Sequence, residues 1–94
     1  MQIHCSIKVF GKVQGVFFRQ SAKEKAQELQ VNGYARNNTD GSVYIEAEGE
    51  QEKVNRFIEW CTNGPDTADV SHLEINEGVF KNYTTFKVLR DNPY

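Results

Sequence analysis

Apolar and polar residues alternate along the first nine positions of the chain, which predicts a strand with one buried face. The apolar members of this alternation are Ile3, Cys5, Ile7 and Val9. From Phe18 onward the apolar spacing lengthens to that of a helix buried along one side. The helical stripe consists of Phe18, Ala22, Ala26 and Leu29. Asn32-Gly33 follows it and predicts the end of the helix.

The rest of the chain shows the same two periods. A second helix is predicted to end at Asn63-Gly64-Pro65, and its apolar stripe consists of Val54, Phe57, Ile58 and Cys61. Alternating segments predict further strands at residues 34–38, 43–49, about 70–77 and 83–89. The turn Thr39-Asp40-Gly41 joins the first two of these strands and predicts a β-hairpin.

The predicted element order is strand, helix, strand, strand, helix, strand, strand. This order predicts an α+β fold, a ferredoxin-like two-layer sandwich with a βαββαβ core and a short fifth strand. Right-handed crossovers place both helices on one face of an antiparallel sheet. No linker or repeat interrupts the chain, so we expect a single domain over residues 1–94, with residues 91–94 as a short tail.

The loop between the first strand and the first helix resembles an anion-binding turn in composition. It reads Val9-Phe10-Gly11-Lys12-Val13-Gln14-Gly15-Val16-Phe17-Phe18-Arg19. Gly15 can take a positive φ, which lets successive N–H groups converge at the positive end of the helix dipole. We therefore predict a phosphate site formed by the backbone of Gly15, Val16, Phe17, Phe18 and Arg19. The alternative is that Gly15 only makes a tight turn.

Arg19 lies in the first turn of the predicted helix, where the helix dipole disfavours a cation unless an anion compensates it. Its planar guanidinium can hold a phosphoryl group through two hydrogen bonds. We predict that Arg19 binds the phosphate, the alternative being a solvated surface arginine. Arg36 is predicted to be a surface residue, because strand alternation places it on the opposite face from Asn37.

Asn37 ends the second predicted strand, and two interpretations of it are equally supported by the residues alone. Asparagine is common beside turns, so Asn37 and Asn38 could simply support the hairpin. The amide of Asn37 also offers both an acceptor and donors, so it could hold a water molecule in a defined direction.

Few residues offer acid–base or metal chemistry. The ionisable side chains predicted to be solvated are those of His4, His72, Glu46, Glu48 and Glu50. Cys5 and Cys61 continue apolar stripes and are predicted to be buried, unpaired hydrophobes. No metal-ligand spacing is found, so we expect neither metal nor cofactor. Without a general acid, phosphoryl transfer favours a leaving group that departs unprotonated, such as a carboxylate of pKa about 4. This chemistry indicates acyl phosphates.

Composition limits the partners. The chain of 94 residues has a formal net charge of −2 and no basic run, which argues against nucleic acid. An RNA-binding function is disfavoured, because the third strand is acidic where RNA-binding sheets carry aromatic and basic residues. No signal peptide or membrane-spanning segment is predicted, so we expect a cytoplasmic protein without a membrane partner.

Two motifs resemble those of the acylphosphatase family. The loop that ends at Arg19 fits the first family signature, and the second is matched by Gly33-Tyr34-Ala35-Arg36-Asn37-Asn38-Thr39-Asp40-Gly41-Ser42-Val43 on to Gly49. The resemblance covers nearly the whole chain. One departure is that family members often finish on an aromatic-x-aliphatic-Arg-Tyr ending, whereas here Phe86-Lys87-Val88-Leu89-Arg90 continues for four more residues.

The resemblance implies hydrolysis of the carboxyl–phosphate bond, without metal or cofactor, on a ferredoxin-like fold. It implies that Arg19 binds the phosphate and that Asn37 orients the attacking water. The expected partners are a small-molecule acyl phosphate and its product, inorganic phosphate, and we expect a monomer. The alternative function is a non-catalytic module that binds phosphate or carbamoyl phosphate, similar to related domains inside larger maturation proteins.

Overall fold

The computed structural model describes residues 1–90, and its seven elements follow the predicted order. The strands are β1 (Gln2–Lys12), β2 (Asn32–Asn37), β3 (Val43–Glu50), β4 (Asp69–Glu77) and β5 (Phe86–Val88), and the helices are α1 (Phe18–Leu29) and α2 (Gln51–Cys61). The predicted tail at residues 91–94 lies outside the described residues. Neither helix has the length and apolarity that crossing a bilayer requires in this part of the chain.

The five strands form one sheet in the order β4-β1-β3-β2-β5. β1 pairs antiparallel with both β3 and β4, and β2 pairs antiparallel with β3. At the far edge β5 runs parallel to β2, which makes the sheet mixed rather than wholly antiparallel. The predicted α+β sandwich is otherwise confirmed.

Both helices cover the same face of the sheet. Alternate residues of β1, among them Ile7 and Val9, point to this face and are fully buried. They share one apolar core with the predicted stripes of both helices, represented by Ala22 and Phe57. The predicted burial of Cys5 and Cys61 is confirmed, and both are free thiols. Burial raises the pKa of Cys5 to about 11, which keeps this thiol protonated and inert.

Several element boundaries differ from the prediction, and β1 runs to Lys12, three residues beyond the predicted alternation. Helix α1 ends at Leu29, and its C-cap Gln30 takes the left-handed conformation usual after a helix end. Asn32-Gly33 does not end the helix but begins β2. The second strand thus begins two residues earlier than the predicted 34–38 and ends one residue earlier, at Asn37. The fifth strand, Phe86–Val88, is shorter than the predicted 83–89. Backbone hydrogen bonds to β2 nevertheless flank it, since Gly33 N–H donates to the Thr85 carbonyl and Leu89 N–H donates to the Ala35 carbonyl, each at 2.9 Å.

The face of the sheet that the helices leave open carries a buried polar cluster, which corrects the prediction of a solvated edge. The side chains of His4, Glu46 and Glu48 are each less than 10% exposed. They are covered by residues 78–83, which cross from β4 to β5. The Gly78 N–H donates to the His4 carbonyl at 3.0 Å, and the Tyr83 N–H donates to Glu48 at 2.8 Å. His72 and Glu50 are exposed as predicted.

The carboxylates of this cluster are held by donors of the protein itself. Burial alone would raise the pKa of Glu46, but hydrogen bonds from Tyr83 and Tyr44, with Lys81, lower it to about 2. Glu48 accepts hydrogen bonds from the backbone of Lys81 and Tyr83, and these lower its pKa despite its burial. The cluster therefore fixes the crossing segment to the sheet.

Candidate active site

The loop after β1 and the end of β2 meet at a pocket of about 260 Å³. The residues that line it are Val13, Gly15, Phe17, Phe18, Arg19, Gln20, Asn37 and Val88. Five of the six residues predicted from the sequence are therefore brought together. Val16 is the exception, since its side chain is buried and it does not line the pocket.

The backbone of the loop has the shape that an anion-binding turn requires. Gly15 has a φ of 73°, and Phe17 takes the left-handed conformation with φ 61° and ψ 25°. A Cβ on Gly15 would meet nothing within 4 Å, so the glycine is required there by its φ and not by lack of space. Residues in alternating left- and right-handed conformations direct neighbouring N–H groups toward one point.

Helix α1 begins directly at this loop and keeps the positive potential of its N-terminus. Its N-cap is Phe17, which has no side-chain acceptor for the first N–H groups. The first turn contains no acidic residue. Because the first N–H groups of a helix have no acceptor within the helix, these groups and the helix dipole favour an anion at this position.

Two side chains from distant segments hold the loop in place. The Gln14 amide donates to the carbonyls of Asn38 and Ser42 at 2.7 and 2.9 Å, which ties the loop to the β2–β3 hairpin. The Thr67 hydroxyl donates to the Val16 carbonyl at 2.6 Å. Because C=O and N–H of a trans peptide point in opposite directions, this contact turns the following N–H, that of Phe17, away from Thr67.

Sequence reasoning missed both of these supports. Gln14 lies 24 and 28 residues from its two acceptors, and Thr67 lies 51 residues from its own. Neither side chain belongs to a periodic apolar pattern, so periodicity could not have revealed them, although Gln14 lies within the first family signature.

Arg19 lies in the first turn of α1, is half-buried and reaches the pocket as predicted. Its Nη1 donates to the carbonyl of Leu89 at 2.6 Å, just beyond β5. The segment that departs from the family ending thus contacts this arginine within the described residues. The contact restricts a long side chain that would otherwise sample many rotamers.

The two asparagines after β2 have different surroundings. Asn37 is the last residue of the strand and lines the pocket. Asn38 donates from its side chain to the Ser42 hydroxyl at 3.1 Å within the hairpin. Asp40 accepts hydrogen bonds from the backbone and hydroxyl of Ser42, and these, with Lys8, hold the pKa of its carboxyl well below its usual range. The hairpin is therefore braced by Asn38 and Asp40.

Arg36 does not belong to the site. Its guanidinium lies over the ring of Tyr44, 4.6 Å from the centroid, and the residue is exposed on the opposite face, as predicted. Among the described residues that line the pocket, Arg19 is the only charged one. The described lining residues are rich in donors and include no carboxylate, which makes this part of the chain complementary to an anion.

Comparisons with known proteins agree with this geometry. The family model described as Acylphosphatase matches residues 5–88. The chain belongs to the acylphosphatase family. An acylphosphatase from Methylococcus capsulatus is 45% identical over 86 residues, which are 90% of this chain and 94% of the relative. The predicted family and enzyme class are thereby confirmed, and acyl phosphate hydrolysis is the activity that the family supports.

Solved structures give the same result for the fold. The structure of an acylphosphatase from Coxiella burnetii superposes with a TM-score of 0.90 at 40% identity, and the match covers 94% of this chain and 93% of the other. Full-length HypF, solved in a phosphate- and nucleotide-bound form, matches with a TM-score of 0.89 at 32% identity. That match covers 96% of this chain but 12% of HypF.

Proposed function

We propose that this acylphosphatase hydrolyses its substrate by in-line attack of a water molecule on a phosphoryl group held at the pocket. The guanidinium of Arg19 and the backbone N–H groups of residues 15–19 hold the phosphoryl oxygens. The side chain of Asn37 orients the attacking water. The products are a carboxylate and inorganic phosphate.

The leaving group explains how the reaction proceeds without a general acid. A carboxylate has a pKa of about 4, so it departs from phosphorus as an anion and needs no proton. A sugar or protein alkoxide would need one, and the pocket residues described offer no acidic side chain. Catalysis then consists of positioning the reactants and stabilising charge on the phosphoryl oxygens.

The observation that carries this proposal is the meeting of three groups in one pocket. Gly15 and its loop, Arg19 and Asn37 come from a turn, a helix and a strand, and all of them line the same space. A phosphoryl group bound by the first two would have the amide of Asn37 beside it, within reach of a bridging water.

Hydrolysis of acetyl phosphate by the wild type and by Arg19→Gln tests the proposal. We expect kcat/KM to fall by about a thousandfold or more in the variant, the range measured for arginines that stabilise phosphoryl transfer. Arg36→Gln is the matched control, because it removes an exposed guanidinium outside the pocket, and it should keep full activity. Activity of the wild type should persist in EDTA. Equal activity of Arg19→Gln and wild type would refute the role of Arg19.

The remaining expectations are part of the same proposal. We propose that residues 1–94 form one acylphosphatase-like domain that acts as a cytoplasmic monomer, without a nucleic-acid or membrane partner. A second candidate is a non-catalytic module that binds phosphate or carbamoyl phosphate. The likeness to one segment of HypF favours it. Saturable phosphate binding in a calorimetric titration, with no turnover of acyl phosphates, would support the second candidate.

A further inference from the structure

Phe17 is an aromatic residue in an unusual place. It is 78% exposed, while its neighbours Val16 and Phe18 are both buried. It also has a left-handed backbone conformation, which costs a bulky side chain free energy. The position therefore gains neither burial nor backbone relaxation from a phenylalanine. Glycine or asparagine would satisfy the backbone better.

The residues that line the pocket beside Phe17 are of two chemical kinds. Arg19 and Asn37 bring polar side chains, whereas the side chains of Phe17 and Val88 are apolar and not buried. Among the described lining residues, Arg19 supplies the only charge. An acyl phosphate has the same asymmetry, because its phosphoryl end is anionic and its acyl end can be uncharged and apolar.

We propose that the exposed ring of Phe17 is the contact surface for the acyl group and makes the site prefer flat, apolar acyl phosphates. Aromatic acyl groups are favoured most, since they can stack on the ring. This inference rests on the proposed function and adds the substrate class to it. The phosphoryl end is gripped identically in every acyl phosphate, so the acyl end is where discrimination arises.

The expected preference is modest. A single aromatic contact at a solvent-exposed position changes a binding constant by about three- to tenfold. This factor should be found in kcat/KM for benzoyl phosphate relative to acetyl phosphate. Inorganic phosphate has no acyl group, so its inhibition constant should change by less than this ratio.

The test measures kcat/KM for both acyl phosphates with the wild type, Phe17→Ala, Phe17→Tyr and Phe80→Ala. Phe80 is the matched control, because it is also exposed and lines other grooves, outside this pocket. Urea unfolding of each variant confirms that it is folded at the assay temperature. We expect the benzoyl-to-acetyl ratio to fall about three- to tenfold in Phe17→Ala and to stay at the wild-type value in Phe17→Tyr and Phe80→Ala.

Two results would overturn the inference, and they are distinguishable. If both substrates are hydrolysed and Phe17→Ala keeps the wild-type ratio, the inference fails while the proposed function stands. If the folded wild type hydrolyses neither substrate, the proposed function fails and takes the inference with it.

Discussion

The buried polar cluster and the pocket are two polar regions of the molecule with opposite electrostatic character. In the buried cluster, carboxylates meet donors of the same chain: Glu48 lies 2.7 Å from His4, and Glu46 accepts from Tyr83 at 2.7 Å and from Tyr44 at 2.8 Å. The pocket instead presents donors, with no carboxylate among the described lining residues. The difference teaches that the buried cluster of ionisable side chains stabilises the fold. The proposed chemistry belongs instead to a guanidinium, a side-chain amide and backbone N–H groups.

Replacing Asn37 in the pocket should have the largest effect on activity. We expect Asn37→Ala to lower kcat by about a hundredfold, the effect of losing one positioned polar group at a reacting centre. The inhibition constant of phosphate should change much less, because Arg19 and the loop backbone hold the oxyanion. Steady-state kinetics with phosphate as inhibitor separate the two effects.

Asn38→Ala is the control for that variant, since it removes the neighbouring amide from the hairpin. It should cost stability through the lost contact with Ser42 rather than kcat. Unchanged kcat in Asn37→Ala would mean that the water is positioned by another group.

Glu48→Gln is the corresponding substitution in the buried cluster, and it should affect stability rather than activity. This side chain is 1% exposed and accepts two backbone N–H groups of the crossing segment. The substitution replaces one carboxylate oxygen by an NH2 group, which cannot accept a hydrogen bond. It should lower the free energy of unfolding by about 1–3 kcal/mol and leave kcat/KM within about twofold of wild type. Urea denaturation measures the first quantity.

Glu50→Gln is the exposed control on the same strand, and we expect it to change stability by less than about 0.5 kcal/mol. A large loss of activity in folded Glu48→Gln would contradict the division between the two regions.

Acid should destabilise the buried cluster. The pKa of Glu46 is about 2 in the folded protein against 4.5 ordinarily, so its stabilisation is fully present above pH 4.5 and is lost as the pH falls toward 2. The wild type should therefore lose stability across this window, and Glu46→Gln should lose less of it. Denaturation at pH 7, 4 and 3 compares the two slopes, and equal slopes would refute the assignment.

The smallest expected effect is that of Thr67→Val. This substitution tests a side chain that holds the phosphate-binding loop in place. The change removes the hydrogen bond to the Val16 carbonyl and keeps the side-chain shape. A less strictly oriented Phe17 N–H should weaken phosphate binding by about three- to tenfold. Thr67→Ser should restore it.

The control is Thr62→Val, where the hydroxyl donates to a carbonyl at the end of α2. It should leave the phosphate inhibition constant unchanged. If Thr67→Val does so too, the orientation of this peptide does not depend on Thr67.

Much of the fold was predictable because apolar periodicity is local. The alternation in β1 and the stripe from Phe18 to Ala26 each specify a buried face from neighbouring residues alone. The site residues Arg19 and Asn37 could also be predicted from the sequence, since each belongs to a motif that resembles a signature of the family. The structure brings both to the pocket, and their individual roles stay predictions.

What escaped prediction depends on contacts between distant segments. His4, Glu46 and Glu48 point to the face that helices leave open, so alternation predicts them to be solvated. They are buried because residues 78–83, about 30 positions beyond Glu48, pack over them without any periodic pattern. Gln14 and Thr67 escaped for the same reason.

The most direct test of the central claim is a crystal structure of the protein with inorganic phosphate. Our account predicts phosphate in the pocket, with its oxygens about 2.7–3.1 Å from the backbone nitrogens of residues 15–19 and from the Arg19 guanidinium. Asn37 should contact a water molecule on the open side of the phosphorus. Phosphate bound elsewhere at saturating concentration, with this loop and Arg19 making no contact to it, would contradict the account.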